Sequence, residues 1–274
     1  MQLPRSYLFV PADRPERIAK ALDSGADAVI ADLEDAVAPA AKVSAREQLA
    51  RALDRIAEQR RSVVVRVNGV ETEWFRDDVV LTRHAAVAAV MLPKAEDREG
   101  IRAVRAGQGS EVKPVHALIE TARGMSQVEV LAACEGVNRL VFGSIDFMLD
   151  MSIPEDDALS LMMFRSHLVL ASRAAGLPAP VDGVTTNFND PSVVEADAIR
   201  SRGLGFGAKL CIHPRQIIPV HGAFSPSPEQ MEWARRVVAA AAGSQGAAVA
   251  VDGKMVDAPV LARARQLLAA GVVA

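Results

Sequence analysis

Acidic side chains follow several short apolar runs in this 274-residue sequence. One run ends in the acidic stretch Asp32 to Asp35, another ends in Glu120, and Asp146 follows a third. Keeping several carboxylates ionised in one poorly solvated site costs free energy, because like charges at close range repel. A divalent cation relieves that repulsion, and oxygen ligands without a His or Cys cluster favour a hard ion. We therefore predict that Glu120 and Asp146 are ligands of Mg2+.

The same residues also allow structural interpretations. Glu120 and Asp146 can instead form salt bridges, for which Arg66, Lys94 and Arg123 are available cations. Acidic residues after strands also stabilise the N-termini of the helices that follow. Arg66 can bind a planar carboxylate through two parallel hydrogen bonds, or it can neutralise the acidic stretch that ends the earlier run. Residue types and spacing leave these alternatives open.

Two histidines are weaker candidates for functional residues. His213, which precedes Pro214 after the last apolar run, can supply a proton or can orient a loop. His116 lies within an apolar run, and we predict that it is a core residue.

The sequence contains no GxGxxG fingerprint, no GxxxxGK[ST] loop and no GxSxG turn. Binding of dinucleotides or nucleoside triphosphates is therefore not supported.

The elements that must position these residues alternate regularly along the chain. Eight short aliphatic runs, each typical of a buried strand, are separated by segments of helical length with polar faces. Eight such units in one chain predict an α/β fold that closes into a (β/α)8 barrel, with a doubly wound open sheet as the alternative. The predicted strands are Ser6 to Val10, Ala28 to Leu33, Ser62 to Val67, Ala88 to Leu92, Pro114 to Ile119, Arg139 to Phe142, Ala179 to Val184 and Ala208 to Ile212.

The pattern changes near the C-terminus. A predicted helix from Glu229 to Ala242 is followed by a Gly/Ser/Ala-rich link, a hairpin from Val249 to Val256 and a last helix from Pro259 to Ala270. We predict a barrel domain over residues 1–224 and an extension over residues 225–274 that packs on a neighbouring subunit.

The composition limits the possible partners. The net charge is −3, from 31 basic and 34 acidic residues, and no Lys/Arg run suggests nucleic acid or an anionic membrane as a partner. No run of about 18 apolar residues predicts a membrane span. Cys134 and Cys211 are too few for a disulfide framework or a cysteine zinc site, so we expect core residues in a reducing compartment. We predict a cytoplasmic protein.

Several motifs occur together, in a fixed order, along almost the whole chain. They are Arg5 to Pro11, Asp13 to Arg17, Gly25 to Val37, Val65 to Asn68, Leu92 to Lys94, Ile119 to Thr121, Gly143 to Asp146, Ile212 to Pro214 and Gly253 to Asp257. Because these motifs occur together and in this order, the sequence resembles the citrate lyase β-subunit-like branch of the HpcH/HpaI aldolase superfamily.

The resemblance implies a Mg2+-binding barrel that breaks or forms a C–C bond between an acyl-CoA enolate and an α-keto acid. It implies Glu120 and Asp146 as metal ligands, Arg66 as the residue that holds the keto-acid carboxylate, and the Ile145/Asp146 backbone as a further contact for that acid. It also implies that Asp257 is the acid/base, acting in a neighbouring subunit. Candidates for supporting roles are Asp32, Glu34, Lys94 and His213.

These implications predict a stand-alone lyase whose substrate is citramalyl-CoA, malyl-CoA or citryl-CoA. The alternatives are a malyl-CoA thioesterase or malate-synthase-like activity, and a carrier-dependent citrate lyase β subunit within a larger complex. The partners expected are a small CoA thioester and an α-keto acid, with no nucleic acid and no membrane. A homo-oligomer, a trimer or a hexamer, is expected because an active site completed by the next subunit requires a closed ring.

Overall fold

The computed structural model of the protein describes residues 3–154, 159–242 and 249–271. Eight parallel strands form a closed barrel in chain order, and the first strand pairs with both the second and the eighth. The predicted (β/α)8 barrel is therefore confirmed, and the open sheet is excluded. The strands are β1 Ser6–Pro11, β2 Ala28–Asp32, β3 Val63–Arg66, β4 Val87–Leu92, β5 Val115–Ile119, β6 Val137–Phe142, β7 Val181–Asp182 and β8 Ala208–Cys211.

Helices connect the strands and continue beyond them. They are α1 Pro15–Leu22, α2 Lys42–Glu58, α3 Phe75–Leu81, α4 Arg98–Gln108, α5 Ala122–Ser126, α6 Val128–Ala132, α7 Ser144–Asp150, α8 Met162–Ala174, α9 Pro191–Leu204, α10 Ile217–Phe224, α11 Pro228–Ala242 and α12 Ala258–Gly271. Among the described residues, no helix is both long enough and apolar enough to cross a bilayer.

One strand is shorter than its apolar run predicts. The run from Ala179 to Val184 contributes only the two residues of β7 to the barrel ladder. Gly183 explains part of this difference, because a Cβ there would lie 2.1 Å from Ser144 Oγ. The backbone thus leaves regular strand geometry where it passes close to the start of α7.

The barrel interior is an apolar core with a charged rim. Side chains in a strand alternate between two faces, so residues two apart point the same way. Within the barrel, β2, β3 and β5 each contribute one residue to the inner apolar cluster, namely Ile30, Val64 and Leu118. The residues two positions later are Asp32, Arg66 and Glu120. The strand period therefore carries these three charged side chains to the C-terminal end of the barrel interior.

The opposite end of the interior contains polar residues with no link to that rim. His116 is buried in β5, as predicted, and its ring meets the Tyr7 ring edge-on with the centroids 5.8 Å apart. Burial, together with the nearby Arg139 charge, lowers the pKa of His116 to about 4. Cys211 is buried as expected, whereas Cys134 is only half-buried.

The chain divides into two compact units, Met1–Val220 and His221–Ala274. The second unit contains α11, α12 and the predicted hairpin, whose strands are β9 Val249–Val251 and β10 Lys254–Val256. Its apolar cluster includes Ala234, Val237 and Ala264. The predicted Gly/Ser/Ala-rich link before β9 lies outside the described residues. The assignment of residues 225–274 to an extension that packs on a neighbouring subunit stays a prediction.

Candidate functional site

Arg66 lies at the centre of the charged rim. It ends β3, and the barrel register places it beside Asp32 of β2. Its Nε and Nη2 atoms donate to the two carboxylate oxygens of Asp32, each over 2.7 Å. The guanidinium also lies over the Phe9 ring, 4.9 Å from its centroid. Burial lowers the pKa of Arg66, but the surrounding carboxylates, Asp32 foremost with Glu34 and Glu120, together outweigh that effect and raise the pKa above its usual value.

Glu34 links Arg66 to Lys94. Its Oε2 atom lies 2.7 Å from Arg66 Nη1, and its Oε1 atom accepts a 2.6 Å hydrogen bond from Lys94 Nζ. Burial raises the pKa of Glu34, although both cations oppose that shift. The Oε2 contact is not aligned as a hydrogen bond, so it is an electrostatic contact only.

Glu120 directly follows β5 and is almost completely buried, with 1% of its surface exposed. Its Oε1 atom accepts a 2.7 Å hydrogen bond from the Lys94 backbone N–H, and Lys94 has a left-handed backbone with a φ of 46°. Burial raises the pKa of Glu120 to about 8, with further contributions from the charges of Glu34 and Asp146. A bound cation would favour the ionised carboxylate.

Gly143 gives Glu120 the space that it occupies. A Cβ at position 143 would lie 2.5 Å from both Cβ and Oε2 of Glu120, a distance that real Cβ atoms do not show. The residue after β6 must therefore lack a side chain for Glu120 to keep this position. Asp146 follows three residues later, in the first turn of α7.

A cavity of about 360 Å³ at the rim brings the predicted residues together. Arg66, Glu120, Ile145 and Asp146 all line it, and apolar side chains from β1, β6 and β8 contribute to its wall. Asp32 also lines this cavity. Glu34 and Lys94 are not part of its lining, but Glu34 contacts Arg66 and the Lys94 backbone N–H contacts Glu120.

The donor set of this cavity suits a hard cation. Four carboxylates line it: Asp32 and Asp35 pair with Arg66, over 2.7 and 3.7 Å, which leaves the oxygens of Glu120 and Asp146 for a cation, and the lining contains no His or Cys. Within residues 3–154, 159–242 and 249–271, no three or more His, Cys, Asp or Glu side chains form a metal-binding group. Two carboxylates leave most coordination positions to water and ligand oxygens, which is typical of Mg2+ sites and not of sites formed wholly by protein ligands. The residues therefore fit Mg2+.

His213 is held by structural contacts. Its ring stacks on the Phe188 ring with the centroids 4.9 Å apart, and its Nδ1 atom accepts a hydrogen bond from the Arg215 backbone N–H. It caps the short 3-10 turn Pro214–Gln216. These contacts favour the role of orienting a loop over that of supplying a proton.

Asp257 belongs to the second unit, between β10 and α12. Its Oδ1 atom accepts a 3.2 Å hydrogen bond from the Val260 backbone N–H, which caps the start of α12. The acid/base role implied for Asp257 by the sequence stays a prediction.

Sequence reasoning missed Lys42. This lysine is buried at the start of α2, and its ammonium group hydrogen-bonds to the acidic stretch after β2. A signal was present, because Lys42 lies three and seven residues before Ala45 and Leu49 on the buried face of the helix. A lysine at such a position on an apolar face needs buried hydrogen-bond acceptors.

Comparisons with known proteins agree with this fold. The model of the HpcH/HpaI aldolase/citrate lyase family matches residues 5–214. A (3S)-malyl-CoA thioesterase from Cereibacter sphaeroides is 37% identical over 270 residues, covering 97% of this chain and 93% of that protein. A citrate lyase subunit beta-like protein from Mycobacterium tuberculosis is 39% identical over 270 residues, covering 96% and 93%. A crystal structure of CitE from Mycobacterium tuberculosis with magnesium, acetoacetate and coenzyme A has a TM-score of 0.84 and 35% identity, covering 98% of each chain.

Proposed function

This chain belongs to the HpcH/HpaI aldolase/citrate lyase family, and from that membership we propose that it is a Mg2+-dependent lyase acting on a β-hydroxyacyl-CoA. The reaction cleaves or forms a C–C bond, giving an acyl-CoA and an α-keto acid. Citramalyl-CoA, malyl-CoA and citryl-CoA are the candidate substrates. One observation carries the proposal: Arg66, Glu120 and Asp146 line a single cavity at the C-terminal end of the barrel.

Glu120 and Asp146 would hold Mg2+. The CitE structure with magnesium, acetoacetate and coenzyme A supports both the metal and the ligand classes. When bound, the ion polarises the keto oxygen and acidifies the β-hydroxyl group. The buried Glu120 carboxylate, fixed by the Lys94 backbone N–H, provides one rigid ligand oxygen position.

Arg66 would bind the carboxylate of the keto acid. A guanidinium has five N–H donors, and Asp32 accepts two of them. Glu34 contacts Nη1 without an aligned hydrogen bond, so the fork formed by Nη1 and Nη2 keeps donors for a second carboxylate. Neutralising the acidic stretch and binding a substrate are therefore compatible roles for this residue.

The first turn of α7 would add further contacts with the keto acid. The N–H groups at the start of a helix have no acceptor within that helix. Ile145 and Asp146 occupy this turn and line the cavity, so their backbone would bind the acid beside the cation site.

Proton movements complete the reaction. In the lyase direction the β-hydroxyl loses its proton as the C–C bond breaks, and the bonding electrons pass to the thioester α-carbon. Asp257 from a neighbouring subunit would act as the acid/base: its carboxylate would take up the hydroxyl proton and then return it to the α-carbon. Arg66 orients the departing acid and balances its charge.

The test is an assay of the purified protein with the candidate thioesters, with and without EDTA. We expect the protein to cleave at least one of these thioesters. EDTA should stop the cleavage and added Mg2+ should restore it, whereas the Glu120→Gln variant should be inactive. Glu111→Gln, at an exposed carboxylate away from the cavity, is the matched control and should stay active. Activity without metal, or full activity in Glu120→Gln, would reject the proposal.

A second candidate is hydrolysis of malyl-CoA. The similarity to the Cereibacter sphaeroides (3S)-malyl-CoA thioesterase favours it, and the same cavity would serve both reactions. Product analysis separates them. A lyase releases an acyl-CoA and glyoxylate from malyl-CoA, whereas a thioesterase releases free CoA and malate.

A further inference from the structure

Lys42 occupies a position that is unfavourable for a cation. It is the first residue of α2, where the helix dipole disfavours positive charge, and only 6% of its surface is exposed. Among the described residues, no carboxylate lies within ion-pairing distance of its Nζ atom. Instead, Nζ donates to the carbonyl oxygens of Leu33 and Glu34, over 2.8 and 2.7 Å. A buried ammonium group needs partners that compensate for its lost hydration, and these two bonds are joined by a cation–π contact with the Trp74 ring, whose centroid lies 5.5 Å from Nζ.

The two acceptors belong to the segment that contacts Arg66. The Glu34 side chain lies 2.7 Å from Arg66 Nη1 and accepts the hydrogen bond from Lys94. Holding the Leu33 and Glu34 carbonyls therefore fixes the backbone from which the Glu34 carboxylate extends. Burial lowers the pKa of Lys42, while the carboxylates of Asp32 and Glu34 favour its charged form.

Arg46 makes a parallel connection one helical turn later. Residues four apart lie on the same face of a helix. Arg46 Nη1 donates to Asp78 Oδ1 over 3.0 Å, and Asp78 Oδ2 accepts hydrogen bonds from the backbone and the side-chain amide of Asn68. Asn68 is two residues beyond Arg66. The first two turns of α2 thus hold the segments after both β2 and β3.

We propose that Lys42 and Arg46 are positioning residues that fix the direction in which the Arg66 fork faces the keto acid. We call this pair the α2 brace. The inference rests on the proposed function, because it concerns how the same cavity binds its acid. The brace acts on the carboxylate-binding side of the cavity and does not touch Glu120 or Asp146.

The test measures binding of pyruvate and of Mg2+ by calorimetry. Pyruvate is titrated at saturating Mg2+, and Mg2+ is titrated without pyruvate. We expect Lys42→Met to weaken pyruvate binding about tenfold or more while Mg2+ affinity stays at the parent value, because a small misplacement of an orienting group is costly. Arg51→Met removes an exposed cation from the same helix and should leave both affinities unchanged.

Lys42→Arg separates positioning from packing. An arginine can still donate to the two carbonyls, so under the proposal it binds pyruvate better than Lys42→Met does. If Lys42 only filled space, the apolar methionine would be the better replacement and the order would be reversed. In turnover, the brace variants should raise the KM for the keto acid more than they lower kcat.

Arg46→Met provides an independent variant should Lys42→Met not fold, and it should also weaken pyruvate binding selectively. Equal pyruvate affinity in the parent and the folded brace variants would overturn the inference and leave the proposed function intact. A parallel loss of Mg2+ and pyruvate binding would also overturn it, because that pattern indicates general damage. A parent protein that binds neither probe would overturn both proposals.

Discussion

At the scale of single residues, Arg66 has two tasks that place different demands on its side chain. Asp32 accepts its Nε and one Nη2 hydrogen in a planar pair, which sets the plane of the guanidinium. The remaining donors would then meet a substrate carboxylate in the same plane. A lysine retains the charge but has no fixed plane and no second pair of donors.

Arg66→Lys should therefore lower kcat/KM by about tenfold to a hundredfold, mainly through a higher KM for the keto acid. The reason is the loss of a charge-assisted, two-pronged contact. Steady-state kinetics in the condensation direction, with the keto acid varied, measure this effect. Arg51→Lys is the matched control, and a near-parental KM in Arg66→Lys would contradict the assignment.

His116 makes stability depend on pH at a position remote from chemistry. Its pKa is lowered from 6.5 to about 4 in the folded protein, because burial and the Arg139 charge oppose protonation. Between these pH values the unfolded chain binds a proton that the native state does not. The free energy of unfolding should therefore fall as the pH drops from 6.5 to 4, by roughly 1 kcal/mol per pH unit, with no further contribution below 4.

Denaturant unfolding of His116→Gln across this pH range checks that prediction. A glutamine does not titrate, so the variant should lose this part of the slope. Parallel pH profiles for the parent and His116→Gln would show that His116 is not the group responsible.

At the scale of elements, the site depends on how closely β5 and β6 end beside each other. Gly143 follows β6 against the Glu120 side chain, and the helix that carries Asp146 begins at the next residue. The two proposed metal ligands thus come from neighbouring strand ends whose spacing depends on a residue without a side chain.

Gly143→Ala should weaken Mg2+ binding by about tenfold to a hundredfold, because overpacking of this size costs about 1–3 kcal/mol. The added Cβ has to displace the Glu120 carboxylate. Calorimetry with Mg2+ measures the loss. Gly203→Ala, near the C-terminal end of α9 with open space around it, should keep parental affinity. Parental Mg2+ affinity in Gly143→Ala would argue against Glu120 as a ligand.

At the scale of the whole molecule, the proposed catalytic groups are divided between the two compact units. Arg66, Glu120 and Asp146 belong to Met1–Val220, whereas Asp257 belongs to His221–Ala274. The proposal that Asp257 acts in a neighbouring subunit makes activity a property of the oligomer.

Co-expression of Glu120→Gln with Asp257→Asn tests this division. Each variant alone should be inactive. In mixed closed rings, about one quarter of the sites should combine an intact barrel with an intact neighbouring tail, and activity should recover in proportion. No recovery in co-purified mixed oligomers would indicate that Asp257 acts within its own chain or not at all.

Local patterns in the sequence are sufficient to predict the strands and helices and to predict which charged residues lie at the rim of the barrel. The period of two in β2, β3 and β5 places Asp32, Arg66 and Glu120 two residues beyond core positions, and this alternation can be recognised without a structure. The apolar run from Ala179 to Val184 predicts a longer strand than β7, because a run of apolar residues does not reveal where a neighbouring side chain approaches.

Closure of the barrel and the contacts at the rim were decided by the tertiary structure. Pairing of β1 with β8 joins segments about 200 residues apart, and no local pattern specifies it. The two hydrogen bonds of Lys42, and the space that Gly143 leaves for Glu120, likewise depend on which elements become neighbours. Sequence patterns determine which side chains share a face of an element, whereas distances between elements follow only from the packing of the complete fold.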